Sequence, residues 1–304
     1  AVLLIGEHGD YPYNARGQHL YPRKRFFDEA VAVMSSANRF LPIFNDKHLS
    51  YRWDWAKQMY DTARTHQIPL CAGSSVPLAQ RLPPFELPPG AEIEEAVSIH
   101  GGGLESYDFH AFEVLQSMVE SRRGGETGIA KIELLYGEKL EDARSAGRWS
   151  KQLVDAAMAA ERAMQVRRQP RTSTGVFRAK PAKNPPPRPD GPHAIAIEYV
   201  DGMRATVLKI GSSSDRWNFA CRLRGETTAR ATAYFNSPWG NRGLFKALSH
   251  AIQQHFIHGI EPYPAERTLL TTGAVEAVMQ SFEQQGQPIE TPHLNISYQT
   301  NPWK

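Results

Sequence analysis

The chain has 304 residues, 41% of them hydrophobic, and its 35 basic and 32 acidic side chains give a formal net charge of +3. A chain of this size can bury one large core or two moderate ones, so the composition excludes a disordered protein. The small net charge indicates no polyanionic partner, and we expect no nucleic-acid binding. Because no apolar run approaches the roughly 18 residues of a membrane span, we expect no membrane partner either.

The two cysteines indicate a reducing compartment. Cys71 and Cys221 lie far apart, each within an apolar stretch, which is typical of buried free thiols rather than of a disulfide scaffold. We therefore expect a cytoplasmic protein.

The first part of the chain alternates between strands and helices. Apolar runs predict strands at residues 2–5, 41–44 and 68–72, and helical periodicity predicts helices at residues 25–38 and 51–66. This alternation is typical of parallel βαβ units. Because the first strand would need neighbours on both sides, we expect residues 1–82 to form the C-terminal part of a Rossmann-like nucleotide-binding domain whose beginning precedes Ala1.

The rest of the chain, residues 83–304, is predicted to form an α/β domain for substrate binding and oligomerisation. It begins within the proline-rich residues 77–89, which we expect to be a stiff connector. The predicted strands lie at residues 93–99, 129–136, 193–199, 203–210, 217–224 and 228–235. The predicted helices lie at residues 107–120, 150–166, 244–258 and 265–285. The later strands follow one another closely, which favours antiparallel pairing, and the basic, proline-rich residues 167–192 indicate an exposed loop.

Polar residues follow each predicted strand of the first sheet. The three strand ends carry Glu7-His8-Gly9-Asp10, Asn45-Asp46-Lys47-His48 and Gly73-Ser74-Ser75. In an open parallel sheet, ligands bind beyond the carboxyl ends of the strands. These residues therefore predict one convergent crevice.

Lys47 and His110 are the candidates for proton transfer. A lysine partly withdrawn from water beside a cationic nicotinamide would have a lowered pKa and could exchange a proton near neutrality. The alternative is a solvated lysine that begins a helix. His110 lies early in a predicted helix, where Asp108 and Glu113 could orient the imidazole. The alternative there is a packed histidine in an ordinary capped helix.

A metal site is a further alternative at the strand ends. His8, Asp46 and His48 lie on adjacent predicted loops and could assemble ligands for a divalent ion. No compact motif, such as paired histidines on one helical turn, supports this hypothesis. We therefore predict no metal.

Three segments together resemble the Gfo/Idh/MocA family of oxidoreductases, which includes glucose-fructose oxidoreductase and inositol dehydrogenase. In Asp46-Lys47-His48, the first residue matches the glutamate, the second the lysine and the third the proline of the family's Glu-Lys-Pro strand end. His110-Ala111-Phe112-Glu113 resembles its His-x-x-Asp. The segments Gly259–Pro262 and Ile289–Pro292 are similar to its C-terminal helices and final strand.

The resemblance implies a fold, a reaction and a set of site residues. It implies a partial Rossmann-like parallel sheet followed by an α+β domain with a large, mainly antiparallel open sheet. It implies hydride transfer between NAD or NADP and a carbohydrate- or polyol-like alcohol, and a homo-oligomer. Lys47 and His110 would be catalytic. Gly6, His8, Asp46 and Lys47 would contact the cofactor, and Tyr107, Asp108, Glu113 and His48 would contact the sugar-like substrate.

The chain also departs from the family pattern. The Gly-x-Gly-x-x-Gly turn that would bind the pyrophosphate is expected upstream of Ala1. His48 replaces the proline, Glu113 replaces the aspartate, and Tyr107 stands where an acid would precede His110. These departures keep a second hypothesis open, namely a non-catalytic ligand-binding or scaffold protein on the same fold.

Overall fold

The first sheet is small and wholly parallel. A computed structural model describes residues 1–6, 9–88, 90–165, 191–236 and 242–300. In the described residues, the small sheet consists of β1 (Val2–Leu4), β2 (Ile43–Asp46) and β3 (Leu70–Gly73), in the spatial order β1-β2-β3. Every residue of β2 and β3 is buried, as expected for parallel strands that are covered on both faces.

Two helices connect these strands, as the sequence predicts. They are α1 (Arg23–Ser36) and α2 (Trp53–Thr65). Phe27, Val31 and Met34 of α1 pack in the same core as Met59 of α2 and Leu70 of β3. The predicted βαβ units are therefore confirmed.

The second sheet is large and mixed. Its eight strands are β4 (Gln80–Leu82), β5 (Ile93–His100), β6 (Ile129–Tyr136), β7 (His193–Tyr199), β8 (Arg204–Lys209), β9 (Trp217–Leu223), β10 (Arg230–Phe235) and β11 (Ile289–Glu290). Their spatial order is β11-β6-β7-β8-β5-β9-β10-β4. All pairs are antiparallel except the central pair of β5 with β8. The prediction of a large, mainly antiparallel sheet is confirmed.

The described chain contains five more helices. They are α3 (Ser106–Val119), α4 (Glu138–Ser145), α5 (Lys151–Gln165), α6 (Arg242–His258) and α7 (Ala265–Glu283). Residues of α3 and α7 share one core with the sheet, and residues of α4 and α5 share another. Within the described residues, no helix combines the length and the apolar character that crossing a membrane demands.

The connector and one helix differ from the sequence prediction. Part of the proline-rich stretch forms β4, whose residues Gln80–Leu82 pair with Ala233, Tyr234 and Phe235 of β10. The helix α4 was not predicted, because its mostly polar sequence buries only Leu140 and Ala143. Residues 167–190 of the predicted basic loop lie outside the described residues. The domain boundary between residues 82 and 83 stays a prediction.

Helix α7 lies between the two sheets. Its Leu269 packs in the core of the small sheet, and its neighbour Leu270 packs in the core of the large sheet. Near its start, Arg267 is buried and donates through Nε to Oε2 of Glu120, at 2.8 Å. Tyr298 donates to the same carboxylate oxygen, at 2.9 Å. This buried pair fixes α7 to the C-terminal end of α3.

We expect Glu120→Ala to destabilise the protein by about 3 to 5 kcal/mol, because it leaves the Arg267 guanidinium buried without its carboxylate. The matched control is Lys57→Ala, which breaks an exposed pair with Asp61 that spans 2.7 Å and should cost about 0.5 kcal/mol or less. Urea unfolding of both variants measures the difference. Equal effects would contradict a structural role for the buried pair.

Candidate functional site

Lys47 lies at the carboxyl end of β2 in an unusual backbone conformation. Its φ is +69°, in the left-handed region. Its backbone N–H donates to the Gly73 carbonyl at 3.2 Å, and the Gly73 N–H donates back at 3.1 Å. Its Nζ lies 2.9 Å from Oδ2 of Asp46, and both side chains are largely withdrawn from solvent. The ends of β2 and β3 are therefore tied together at Lys47.

The backbone conformation of Lys47 is uncommon for a residue with a side chain, and in the described residues four other non-glycine residues also have a positive φ, namely Asn38, Gln67, Glu105 and Gln285. A side chain with a Cβ costs about 1 to 2 kcal/mol in the left-handed region, which glycine occupies freely. Such strain tends to persist at functional sites, where the surrounding structure holds the residue in place. The observed strain therefore favours a functional role for the lysine.

The chain brings His110 to the end of β3. Ser74 follows β3 directly, and its Oγ lies 2.6 Å from Nδ1 of His110. The same Oγ accepts the Val76 N–H at 3.0 Å. Since Ser74 follows the residue that is paired with Lys47, a short contact path joins Lys47 to His110. His110 therefore lies beside the end of β3, and the backbone of Lys47 is paired with the last residue of that strand.

Glu113 is buried beneath this path. Its carboxylate accepts the Thr271 hydroxyl at 2.6 Å and the Ser74 N–H at 3.3 Å. Burial, which outweighs the attraction of Arg267, raises the pKa of this carboxyl above its usual range. Glu113 therefore holds the end of β3 between α3 and α7, and protein groups surround its carboxylate.

His48 is also buried and faces an arginine. Its Nε2 lies 2.9 Å from the guanidinium of Arg23, which is itself buried. Burial, with smaller contributions from Arg23, His110 and Lys47, lowers the pKa of His48 well below its usual value. A neutral imidazole beside a guanidinium is a poor neighbour for a divalent cation. His8, the other histidine of the metal hypothesis, lies outside the described residues.

Gly6, the predicted cofactor contact just after β1, lies close to the start of α1. A Cβ at Gly6 would come within 3.3 Å of the Arg23 side chain and within 3.5 Å of the Phe26 ring. The glycine thus lets the end of β1 approach this helix closely.

Asp108 lies at the start of α3 between two histidines. Its Oδ1 is 2.9 Å from Nε2 of His100 and 2.9 Å from Nε2 of His193. Its Oδ2 accepts the Glu105 N–H at 2.8 Å, which forms one half of a capping box. All three side chains of the cluster are fully buried. Asp108 therefore anchors the beginning of α3 to β5 and β7.

The chemistry of this cluster favours N–H donors over metal ligands. The three ligand atoms lie within 4.8 Å of one another. However, the Gly102 N–H donates to Nδ1 of His100 at 3.3 Å. A neutral imidazole that accepts at Nδ1 carries its proton on Nε2, whereas a metal would need the lone pair of Nε2. His100 therefore carries its proton on Nε2, which lies 2.9 Å from Oδ1 of Asp108 without the alignment of a hydrogen bond.

Aromatic rings form one wall beside His110. Trp217 stacks on Tyr107 with ring centroids 5.3 Å apart, and His110 meets Trp217 edge-on at 5.4 Å. Tyr107 was expected at the substrate from its place in the sequence, whereas Trp217 was not expected there. No local signal distinguishes this tryptophan, because it begins an ordinary buried strand that pairs with β5 only in the folded protein.

Two solved structures resemble this protein over most of its length. GenD2 from gentamicin A biosynthesis, in complex with NAD, matches 88% of this chain and 75% of its own, with a TM-score of 0.53 and 10% identity. Apo scyllo-inositol dehydrogenase from Lactobacillus casei matches 95% of this chain and 78% of its own, with a TM-score of 0.52 and 10% identity. This chain has the Gfo/Idh/MocA fold.

The expected family is thus confirmed at the level of the fold. Sequence comparison adds no further support for the family, because no protein-family profile matches the chain and no curated protein matches it. In this Gfo/Idh/MocA fold, the residues predicted for the site remain candidates for cofactor and substrate contacts. Their geometry in the structure is the support for these roles.

The histidine cluster makes stability depend on pH. Burial, which outweighs the attraction of Asp108, lowers the pKa of His100. Burial alone would raise the pKa of Asp108, but His193 and His100 outweigh it and lower that pKa below its usual range. As the pH falls, His100 takes up a proton in the unfolded chain at a higher pH than in the folded protein. At still lower pH, protonation of Asp108 removes its interaction with the two histidines in the folded protein. Both groups therefore reduce stability in acid.

We expect the free energy of unfolding to fall between about pH 7 and about pH 5, and His100→Gln to make this loss smaller. The control His66→Gln alters an exposed histidine and should leave the slope as in the wild type. Denaturant melts across this pH range measure the slope. An unchanged slope in His100→Gln would show that His100 is not the group involved.

Proposed function

We propose that the protein is an NAD(P)-dependent oxidoreductase acting on a carbohydrate- or polyol-like substrate, with Lys47 and His110 as its catalytic residues. The observation that carries this proposal is the contact path from Lys47 through Gly73 and Ser74 to His110. This path supports the proposal because it runs along the ends of β2 and β3, where open parallel sheets bind their ligands. Proton exchange at a substrate oxygen needs groups such as an ammonium and an imidazole.

The residues at the strand ends fit the reacting end of a nicotinamide cofactor. Lys47 is partly withdrawn from water, and Gly6 allows a close backbone approach at β1. When bound, the cofactor supplies or accepts the hydride. We propose that Gly6, Asp46 and Lys47 contact it, together with His8. In this proposal these residues contact the nicotinamide end of the cofactor.

The aromatic wall supports a substrate with an apolar face and several hydroxyls. The Tyr107 ring is partly exposed and is backed by buried Trp217. Aromatic faces of this kind pack against the C–H groups of a polyol ring, while nearby polar groups bind its hydroxyls. One structural neighbour is a scyllo-inositol dehydrogenase. We propose that Asp108, Glu113 and His48 act on the substrate indirectly, by holding the elements that carry Tyr107, His110 and Lys47.

Two variants at Lys47 separate catalysis from backbone strain. We expect Lys47→Ala and Lys47→Gly each to lower turnover by about 10² to 10⁴, because both remove the ammonium. Lys47→Gly should be more stable than Lys47→Ala by about 1 kcal/mol, since only glycine relieves the left-handed strain. Turnover and thermal unfolding of the two variants provide the measurements.

The full-length protein should also quench or enhance NADH or NADPH fluorescence on binding. The absence of a response to both cofactors would contradict the proposal and favour the scaffold hypothesis. Wild-type turnover in either Lys47 variant would remove Lys47 from the mechanism.

A further inference from the structure

The Ser74 hydroxyl has a restricted set of partners. Ser74 is 1% exposed. Its Oγ accepts the Val76 N–H at 3.0 Å and lies 2.6 Å from Nδ1 of His110. Within the described part of the chain, no other group within hydrogen-bond distance of this oxygen can accept its proton. The hydroxyl proton therefore has one acceptor, the Nδ1 lone pair.

This geometry decides between the two neutral forms of His110. If Nδ1 carried the ring proton, it would face the serine oxygen, and the buried hydroxyl proton would have no acceptor. An unsatisfied buried donor costs about 1 to 3 kcal/mol, which corresponds to about a 5- to 150-fold preference. With Nδ1 as acceptor, the Ser74 hydroxyl proton is satisfied, and the ring proton lies on Nε2. His110 is then a hydrogen-bond donor at Nε2.

Lys47 contributes the second donor. Its ion pair with Asp46 favours the charged ammonium, which has only N–H donors. An oxygen that meets both Lys47 and Nε2 of His110 must supply two lone pairs. A carbonyl oxygen does so without loss, whereas an alcohol must direct its own O–H elsewhere.

We propose that Ser74 is a positioning residue that holds His110 in the Nε2–H form, so that the resting site is complementary to a carbonyl substrate and works as a reductase. This inference rests on the proposed oxidoreductase function. It gives the two candidates different roles: His110 orients and polarises the carbonyl oxygen of the substrate, and Lys47 transfers the proton to it.

The reaction balances with these roles. The carbonyl π bond breaks as its carbon gains a hydride from a reduced nicotinamide and its oxygen gains a proton from Lys47. One C–H and one O–H bond form, the nicotinamide is oxidised, and Lys47 becomes a neutral amine that regains a proton from water. His110 keeps its Nε2 proton throughout.

The tautomer can be measured without any substrate or cofactor. In the full-length protein labelled with ¹⁵N-histidine, long-range ¹H–¹⁵N spectra distinguish protonated from unprotonated ring nitrogens, and His110→Gln assigns the His110 signals. We expect an unprotonated Nδ1 and a protonated Nε2 at neutral pH. Ser74→Ala should shift His110 toward a mixture of tautomers, and Ser74→Thr should restore the single form. A protonated Nδ1 in the wild type would overturn the proposal.

Ser75→Ala is the matched control. Ser75 is also buried, but its hydroxyl makes no hydrogen bond to His110 within the described residues. Its removal should leave the His110 signals unchanged. An effect as large as that of Ser74→Ala would mean that packing, and not the Ser74 hydroxyl, sets the tautomer.

Binding measurements test the reductase direction. We expect a cyclic ketone of an inositol to bind at least about tenfold tighter than the corresponding inositol, and Ser74→Ala to reduce this ratio several-fold. If the inositol binds more tightly than the ketone while His110 keeps the Nε2–H form, the reductase direction is overturned, but the role of Ser74 is not. Failure of both nicotinamide cofactors to bind, with the tautomer as expected, would overturn the oxidoreductase function and leave Ser74 as the residue that orients His110.

Discussion

The arrangement of the site depends on one close approach, that of Gly73 to the carboxylate of Glu113. A Cβ on Gly73 would lie 2.6 Å from Oε2 of Glu113 and 2.6 Å from Oγ1 of Thr268, and the glycine has a φ of +123°. No amino acid other than glycine could take this conformation in so little space. The approach lets α3 and α7 both contact the end of β3, and it brings Ser74 to His110.

Buried carboxylates along α3 explain why His110 is held in one place. Asp108 ties the first turn to two histidines, Glu113 ties the middle to β3 and α7, and Glu120, just after the last turn, binds Arg267. A buried charge is costly unless its partners are placed well, so each carboxylate tolerates little movement of the helix. Asp108 and Glu113, which the sequence suggested as substrate contacts, thus hold α3 in place.

The fold by itself does not decide the reaction. Its likeness to two solved structures, at 10% identity, shows the fold alone. Folds of this kind carry different functions, and the function must be argued from the side chains. Here the strained Lys47 and the hydrogen-bonded pair of Ser74 and His110 carry that argument.

The sequence by itself determined the alternation of strands and helices, the order of the two sheets and the strand ends that carry Lys47 and Ser74. These features follow from local periodicity and from the rule that parallel sheets bind ligands at their carboxyl ends. Only the tertiary structure decided that Asp108 and Glu113 are buried and hold α3 in place, that Trp217 lies beside His110 and that β4 joins the large sheet. Each of these depends on contacts between residues distant in sequence, and such contacts leave no periodic trace in the chain.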